Sequence, residues 1–346
     1  MRTLGDAIDT SVWNVGFGQA GKNKIINGDF SINQRSFTSL TTSLTYGFDR
    51  WLFLGSDGTT TYSAQTFTAG AAPVAGYEST NFARLVTSGQ TLTSAFSFLS
   101  QKIENVRTFA NQTVTVSFWA KAATGTPKIA IELDQQFGSG GSTRVATAVG
   151  QVTISTGWTR YSASVLVPSI SGKTIGTGNS LNANLIVSAG SDFNSRTGSL
   201  GIQSNTFDFW GVQVEAGSKV TPFQTATGTI QGELAACQRY YVRYTGGTGG
   251  TLSVLGTGTS TTNTAVTIPF GTIMRVIPTG IDFGNLGSSD LVNATINATS
   301  VTLNGNTTKE VAVVVLGHAS GITQYRPYAL IGQTSTVGYI GFTAEL

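Results

Sequence analysis

The feature that most constrains this chain is the alternation of its apolar residues. In TVTVSFWAKA (113–122), Val114, Val116, Phe118 and Ala120 fall on one side of an extended strand. Thr113, Thr115, Ser117, Trp119 and Lys121 fall on the other. Successive side chains of a strand point to opposite faces, so such a run has one face for a core. The pattern recurs in GFDRWLFL (47–54), FARLV (82–86), SAFSFLSQKI (94–103), KIAIEL (128–133), WTRYSASVLV (158–167) and LNANLIVS (181–188). Loops rich in Gly and Ser separate these runs, and no convincing amphipathic helix interrupts them. Short strands at this spacing pack as two sheets. The expected fold class is all-β: a jelly-roll β-sandwich over 23–228, then a smaller C-terminal β domain over 229–346. A short N-terminal arm occupies 1–22.

The run FDFWGVQVEAGSKVTPF (207–223) is expected to be the last central strand of the sandwich. Read with strict period two, Asp208, Trp210, Val212 and Val214 share one face, and Phe207, Phe209, Gln213 and Glu215 the other. Gly217 turns the chain and Pro222 stops pairing. In TIQGELAACQRYYVRY (229–244), Leu234, Cys237 and Tyr241 sit at helical spacing, with Glu233 where the helix dipole favours an acid. One short helix is expected there, with Cys237 as a small buried hydrophobe. Strand patterns resume in AVTIPF, MRVIPT, LVNATINATSVTL and KEVAVVVLG. The last is apolar on both faces, Val311, Val313 and Val315 on one and Ala312, Val314 and Leu316 on the other. One face fills its own domain; the other needs cover, which further copies of the chain supply by cyclic symmetry.

Charged residues make up 11% of the chain, less than half the usual share of roughly 25%. Ser, Thr, Asn and Gly take their place. A net charge of +3 over 346 residues forms no basic patch, which argues against nucleic acid as a partner. The single cysteine rules out an intramolecular disulfide framework and a Cys-based zinc site. One histidine, His318, leaves little for metal or acid–base work, so neither metal nor cofactor is expected. No apolar run reaches the length of a membrane span, and MRTLGDAIDT lacks the basic-then-apolar order of a signal peptide. Assembly in a cytoplasm is therefore expected. Residues 1–22 carry Ala7, Ile8, Val12, Trp13, Val15 and Phe17, too many apolar groups for a solvated tail. The arm is expected to bury itself against another protein, with Trp13 and Phe17 as its attachment residues.

Motifs for catalysis fail on inspection. SGKTIG (171–176) has Val167 where a phosphate-binding loop needs glycine, and FGSGGSTR (137–144) does not open a helix. Glu132 and Asp134 share one side of a strand, as a glycosidase pair would, but they read as a solvated strand end. His318 has only Glu310 nearby, so a triad is unsupported. No catalytic residue is expected. The better signal is Trp119, an indole on a polar strand face, which costs exposure unless something covers it. Sugar rings stack on such faces, and Thr115, Ser117 and Lys121 could bond their hydroxyls. These four are the candidate glycan-binding residues. The alternatives are burial by a second subunit or reversed faces.

INGDF (26–30), DRW (49–51), SFWAKA (117–122), GWTRY (157–161), FDFWGVQVEAG with TPF (207–223), ELAACQRYY (233–241) and IPF…MRVIPT (268–279) occur in this order. Together they make the chain resemble tail-fibre and receptor-binding-type virion structural proteins of tailed bacteriophages, whose first domain looks like a carbohydrate-binding-module jelly roll. The resemblance implies a homotrimeric virion component, joined to other virion proteins and adsorbing to a host surface polysaccharide. The short arm, in place of a long shaft, leaves as the alternative a head or collar decoration or fibre protein with a purely structural role.

Overall fold

Residues 21–292, 295–333 and 337–346 are described in a computed structural model, with the side chains of Val254 and Leu255 left aside. Trp13, Phe17 and the rest of the expected arm before Gly21 lie outside the described residues. The chain divides into two compact units, one running through Leu234 and including Leu346, the other Ala235–Glu345.

The first unit holds β1 (Ser39–Leu40), β2 (Thr45–Tyr46), β3 (Leu52–Ser56), β4 (Thr59–Thr66), β5 (Asn81–Ser88) and β6 (Phe96–Glu104). It continues with β7 (Thr113–Ala122), β8 (Lys128–Gln136), β9 (Val145–Thr153), β10 (Thr159–Leu166), β11 (Ser180–Ala189) and β12 (Asn205–Ala216). They form two six-stranded sheets, β1-β4-β5-β12-β7-β10 and β2-β3-β6-β11-β8-β9. Strands that neighbour in space are mostly distant in sequence, as a jelly roll requires. Val114, Val116, Phe118 and Ala120 of β7 point into the core, as their alternation predicts. Leu99 and Ile103 of β6, Ile129, Ile131 and Leu133 of β8, and Leu181, Ala183 and Leu185 of β11 join the same core.

Strand β12 departs from strict alternation. Trp210 lies opposite Trp119 of β7, but Gln213 lies opposite Ser117, so β12 carries one extra residue. Gly211 makes this bulge possible. Its φ of +62° is left-handed, and a Cβ there would sit 2.7 Å from the Trp119 ring. Beyond the bulge the faces exchange. Phe207, Phe209, Val212 and Val214 share the core face, with the Phe209 ring 6.0 Å from that of Phe118 between centroids. Asp208, Trp210, Gln213 and Glu215 share the outer face, where Arg84 Nε donates to Asp208 Oδ1 at 2.6 Å and Lys22 Nζ lies 3.1 Å from Glu215. The period-two assignment of residues 212–215 is thereby corrected.

Several of the recognisable blocks meet in one buried knot. The Asn27 side chain donates to Ile32 O (2.8 Å) and Asp49 O (3.0 Å), while Trp51 Nε1 donates to Asn27 O (2.8 Å). Glu233 Oε2 accepts the Asn27 amide at 2.7 Å. INGDF, DRW and the start of ELAAC thus hold one another.

Helix α1 (Ile230–Gln238) is the expected short helix, and Cys237 is buried in it. The second unit contains β13 (Tyr241–Thr248), β14 (Thr251–Gly258), β15 (Asn263–Pro269), β16 (Gly280–Gly284) and β17 (Leu286–Ser289). Then come β18 (Ile296–Asn297), β19 (Ser300–Leu303), β20 (Val311–Gly317), β21 (Pro327–Gly332) and β22 (Val337–Thr343). A three-stranded sheet, β13-β22-β16, accompanies a seven-stranded one, β18-β17-β21-β14-β15-β20-β19. On β20, Ala312, Val314 and Leu316 are fully buried, whereas Val311, Val313 and Val315 are half-buried.

Candidate functional site

The outer faces of the two sandwich sheets differ, and the difference locates the site. On β7 and β12 the outer face is roofed by the chain itself. After Gly217 the backbone returns over the sheet, where Thr221 donates to Glu215 and the Gln224 amide donates to Gln213 Oε1 (3.0 Å). Phe223 follows, 5.0 Å from Trp210 and 6.0 Å from Trp119 between ring centroids.

The four candidate glycan-binding residues lie under or beside this roof. Thr115 and Ser117 are buried. Thr115 Oγ1 donates to Gly217 O (2.8 Å), and Ser117 Oγ accepts from Arg160 Nη2 (3.1 Å). Trp119 is half-buried against Trp210, with the Arg160 guanidinium 4.4 Å above its ring. Lys121 Nζ sits 3.6 Å from Asp208 and 5.2 Å from the Trp158 ring. Of the four expected sugar-binding residues, Thr115 and Ser117 are thus buried, and Trp119 and Lys121 half-buried. The indole does need cover, and residues 217–224 supply it.

The outer face of the other sheet is open. There β3, β6, β11 and β8 line a cleft of about 320 Å³. Leu44, Leu52, Leu54 and Phe98 form an apolar wall on the β3 side. Ser100 of β6, Ser180, Asn182 and Asn184 of β11, and Asp134 of β8 form a recessed polar floor. Alternation explains it: each floor residue has a core residue as its neighbour along the strand. Lys102, Arg144 and Arg196 stand around the floor.

One end of the cleft is closed by a 3₁₀ turn (Ser191–Phe193) and a helical turn (Asn194–Thr197). Phe193 and Leu200 anchor this segment on Ala130, Ile186 and Phe98. It delivers Arg196 to the fully buried Glu132. Arg196 Nε donates to Glu132 Oε2 (2.6 Å), and Nη2 donates to Oε1 (2.7 Å). Asn184 Nδ2 donates to the same Oε1 at 2.8 Å. Asp134, two residues along, accepts from Gln136 Nε2 (2.7 Å) and Arg144 Nη1 (3.3 Å). Burial pushes the Asp134 carboxyl above the usual carboxylate range, against the pull of Arg144. Asp134 Oδ1 and Asn184 Oδ1 are buried without a hydrogen-bond partner.

Glu132 and Asp134 do share one side of β8, but they are buried at a cleft floor and not at a solvated strand end. Both Glu132 oxygens already accept hydrogen bonds, from Arg196 and Asn184. In the second unit His318 Nε2 lies 3.1 Å from Ser288 Oγ, and Nδ1 lies 3.1 Å from Asn297 O. Ser288 and His318 are both buried, and the atom facing Nδ1 is a backbone carbonyl, not a carboxylate. Among the described residues no group of three or more His, Cys, Asp or Glu could hold a metal ion, and no helix is long and apolar enough to cross a membrane.

Sequence reasoning missed the cleft. Its available signal was the polar interruption of apolar strands, Asn182 and Asn184 in β11 facing Glu132 and Asp134 in β8. Which strands adjoin was not readable.

No protein-family model matches the chain, and no curated protein matches it in sequence. Among solved structures, the enzymatically active domain of tailspike protein 4 from Bacteriophage CBA120 is similar over 56% of this chain and 21% of that one, at 14% identity and TM-score 0.34. A cyclase from Fischerella sp. TAU is similar over 57% of this chain and 98% of its own, at 17% identity and TM-score 0.36. The CBM22-2 xylan-binding domain from Paenibacillus barcinonensis is similar over 49% of this chain and 92% of its own, at 18% identity and TM-score 0.32. At these scores no family assignment rests on them.

Proposed function

We propose that the chain is a glycan-binding structural protein of a phage virion, and that the open cleft is where it takes a sugar. The observation that carries this reading is the cleft floor. Asp134 Oδ1 and Asn184 Oδ1 are buried acceptors without a donor, beside further hydroxyl and amide groups and opposite an apolar wall. A buried polar group left unpaired costs about 1–3 kcal/mol. Sugar hydroxyls are donors, and the wall can take the apolar groups of a sugar. Binding without hydrolysis follows, because Glu132 is tied to Arg196 and Asn184. The virion role and host adsorption rest on the ordered sequence blocks, trimeric assembly on those blocks and the second apolar face of β20, and attachment through the arm on the apolar residues of 1–22.

The test is titration of the full chain with surface polysaccharide of candidate hosts, beside Asn182→Ala and Arg144→Ala. Binding that weakens at least about tenfold in either variant, or roughly 1.4 kcal/mol, supports the reading. Binding indifferent to both variants, or no binding to any glycan, overturns it. Release of oligosaccharide during the titration would overturn the non-enzymatic part.

A further inference from the structure

The wall of the cleft says which sugars fit. It rests on the glycan-binding reading above. Flat aromatic rings are the usual partners for the broad C–H face of an unsubstituted sugar, whereas this wall is mostly branched aliphatic. Leu52 is buried and Leu54 and Phe98 are half-buried, so the wall offers leucine methyl groups beside a single phenyl ring. Leu44 completes it from the rim. Its side chain is 72% exposed, and its backbone adopts φ +59°, in the left-handed region that an L residue occupies only at a cost. A large exposed apolar residue on a strained backbone is doubly unfavourable in the free protein, and a ligand that covers the leucine offsets the exposure.

We infer that the cleft selects a glycan unit bearing a methyl group, an N-acetylated or a 6-deoxy sugar. The methyl sits among Leu44, Leu52, Leu54 and Phe98, while the hydroxyls of the same unit reach the Asn182, Asn184 and Asp134 floor. The cleft volume of about 320 Å³ lies at the lower end for ligand pockets, roughly 300–1,000 Å³, which matches a short segment of a chain. One methyl in an apolar pocket discriminates by about 10- to 200-fold. A shallow, partly open wall belongs at the lower end, so about tenfold is expected.

The experiment titrates the full chain with three matched probes: chitotriose, a rhamnose trisaccharide and cellotriose. Chitotriose and the rhamnose probe separate the N-acetyl from the 6-deoxy source of the methyl. The expected result is about tenfold tighter binding of one methyl-bearing probe than of cellotriose. Leu44→Ser should bring that probe down to the level of cellotriose, and Asn182→Ala should weaken both alike. Equal binding of all three, or a preference that survives Leu44→Ser, overturns the inference and leaves glycan binding standing. No binding of these probes or of any host polysaccharide overturns both. Leu44 is exposed, so a thermal melt matching the parent confirms that Leu44→Ser still folds.

Discussion

Replacing Arg196 with alanine tests whether the cleft floor is as dry as its geometry implies. Glu132 is fully buried, and two of its three hydrogen bonds come from Arg196, at 2.6 and 2.7 Å. Alanine leaves a carboxylate whose remaining partner is Asn184. Breaking a buried pair from one side costs about 3–5 kcal/mol, because the surviving charge is uncompensated. The Arg196 side chain is 22% exposed, so water can partly replace it, and about 3 kcal/mol is the better expectation. For a unit of this size that corresponds to a melting shift of roughly 6–12 °C. The assay is urea unfolding followed by tryptophan fluorescence. Four of the five tryptophans, Trp51, Trp119, Trp158 and Trp210, lie in the described part of the first unit and the second unit has none, so the signal reports mainly on the sandwich. Glu132→Gln combined with Arg196→Leu removes both charges and should restore most of the loss, to within about 1 kcal/mol. A loss below about 1 kcal/mol in Arg196→Ala, the range of exposed pairs, would refute the reasoning and mean that the floor is hydrated.

Gly211→Ala should destabilise the sandwich by about 2 kcal/mol or more, since it forces an L residue into left-handed backbone and drives a Cβ against the Trp119 ring; an unchanged urea midpoint counts against the bulge. His318 is pushed below its ordinary value by burial, so the unfolded chain binds the proton more readily than the folded one. Stability of the second unit should therefore hold above about pH 6.5 and fall as the pH drops through that value, seen by circular dichroism melts and lost in His318→Gln. The half-buried Val311, Val313 and Val315 face of β20 should be covered in a homotrimer. Light scattering at micromolar concentration should give three times the chain mass, and a monomer mass sinks this.

The sandwich was legible because alternation is a local property: β7 shows its core face within ten residues of sequence. The bulge in β12 was less so. A glycine inside a strand is a known mark of one, but Gly211 sits in a run regular enough to read straight through, and one extra residue exchanges the faces of everything after it. The candidate site failed for a different reason. Trp119 announces a need for cover, but nothing local says that residues 217–224 provide it. The Glu132–Asp134 pairing was visible and its surroundings were not, because Arg196 arrives from a turn 64 residues downstream. The wall and floor also lie outside the sequence blocks that carry the phage resemblance. The blocks of the first unit build the Asn27 knot and the roofed aromatic face, so the resemblance reports on scaffold and does not locate a ligand site.

Strand β11 is buried along its whole length, yet it serves two masters on alternate residues. Leu181, Ala183 and Leu185 belong to the core, and Ser180, Asn182 and Asn184 to the cleft. Its ladder to β6 and β8 is made by backbone and does not depend on which amide or hydroxyl faces outward. Exchanges among small polar residues at 180 and 182 should therefore cost folding little, whereas Asn184 also holds the buried Glu132 carboxylate. On the glycan-binding reading proposed above, single exchanges at 180 and 182 would change which polymer the cleft takes while leaving the strand's backbone ladder in place.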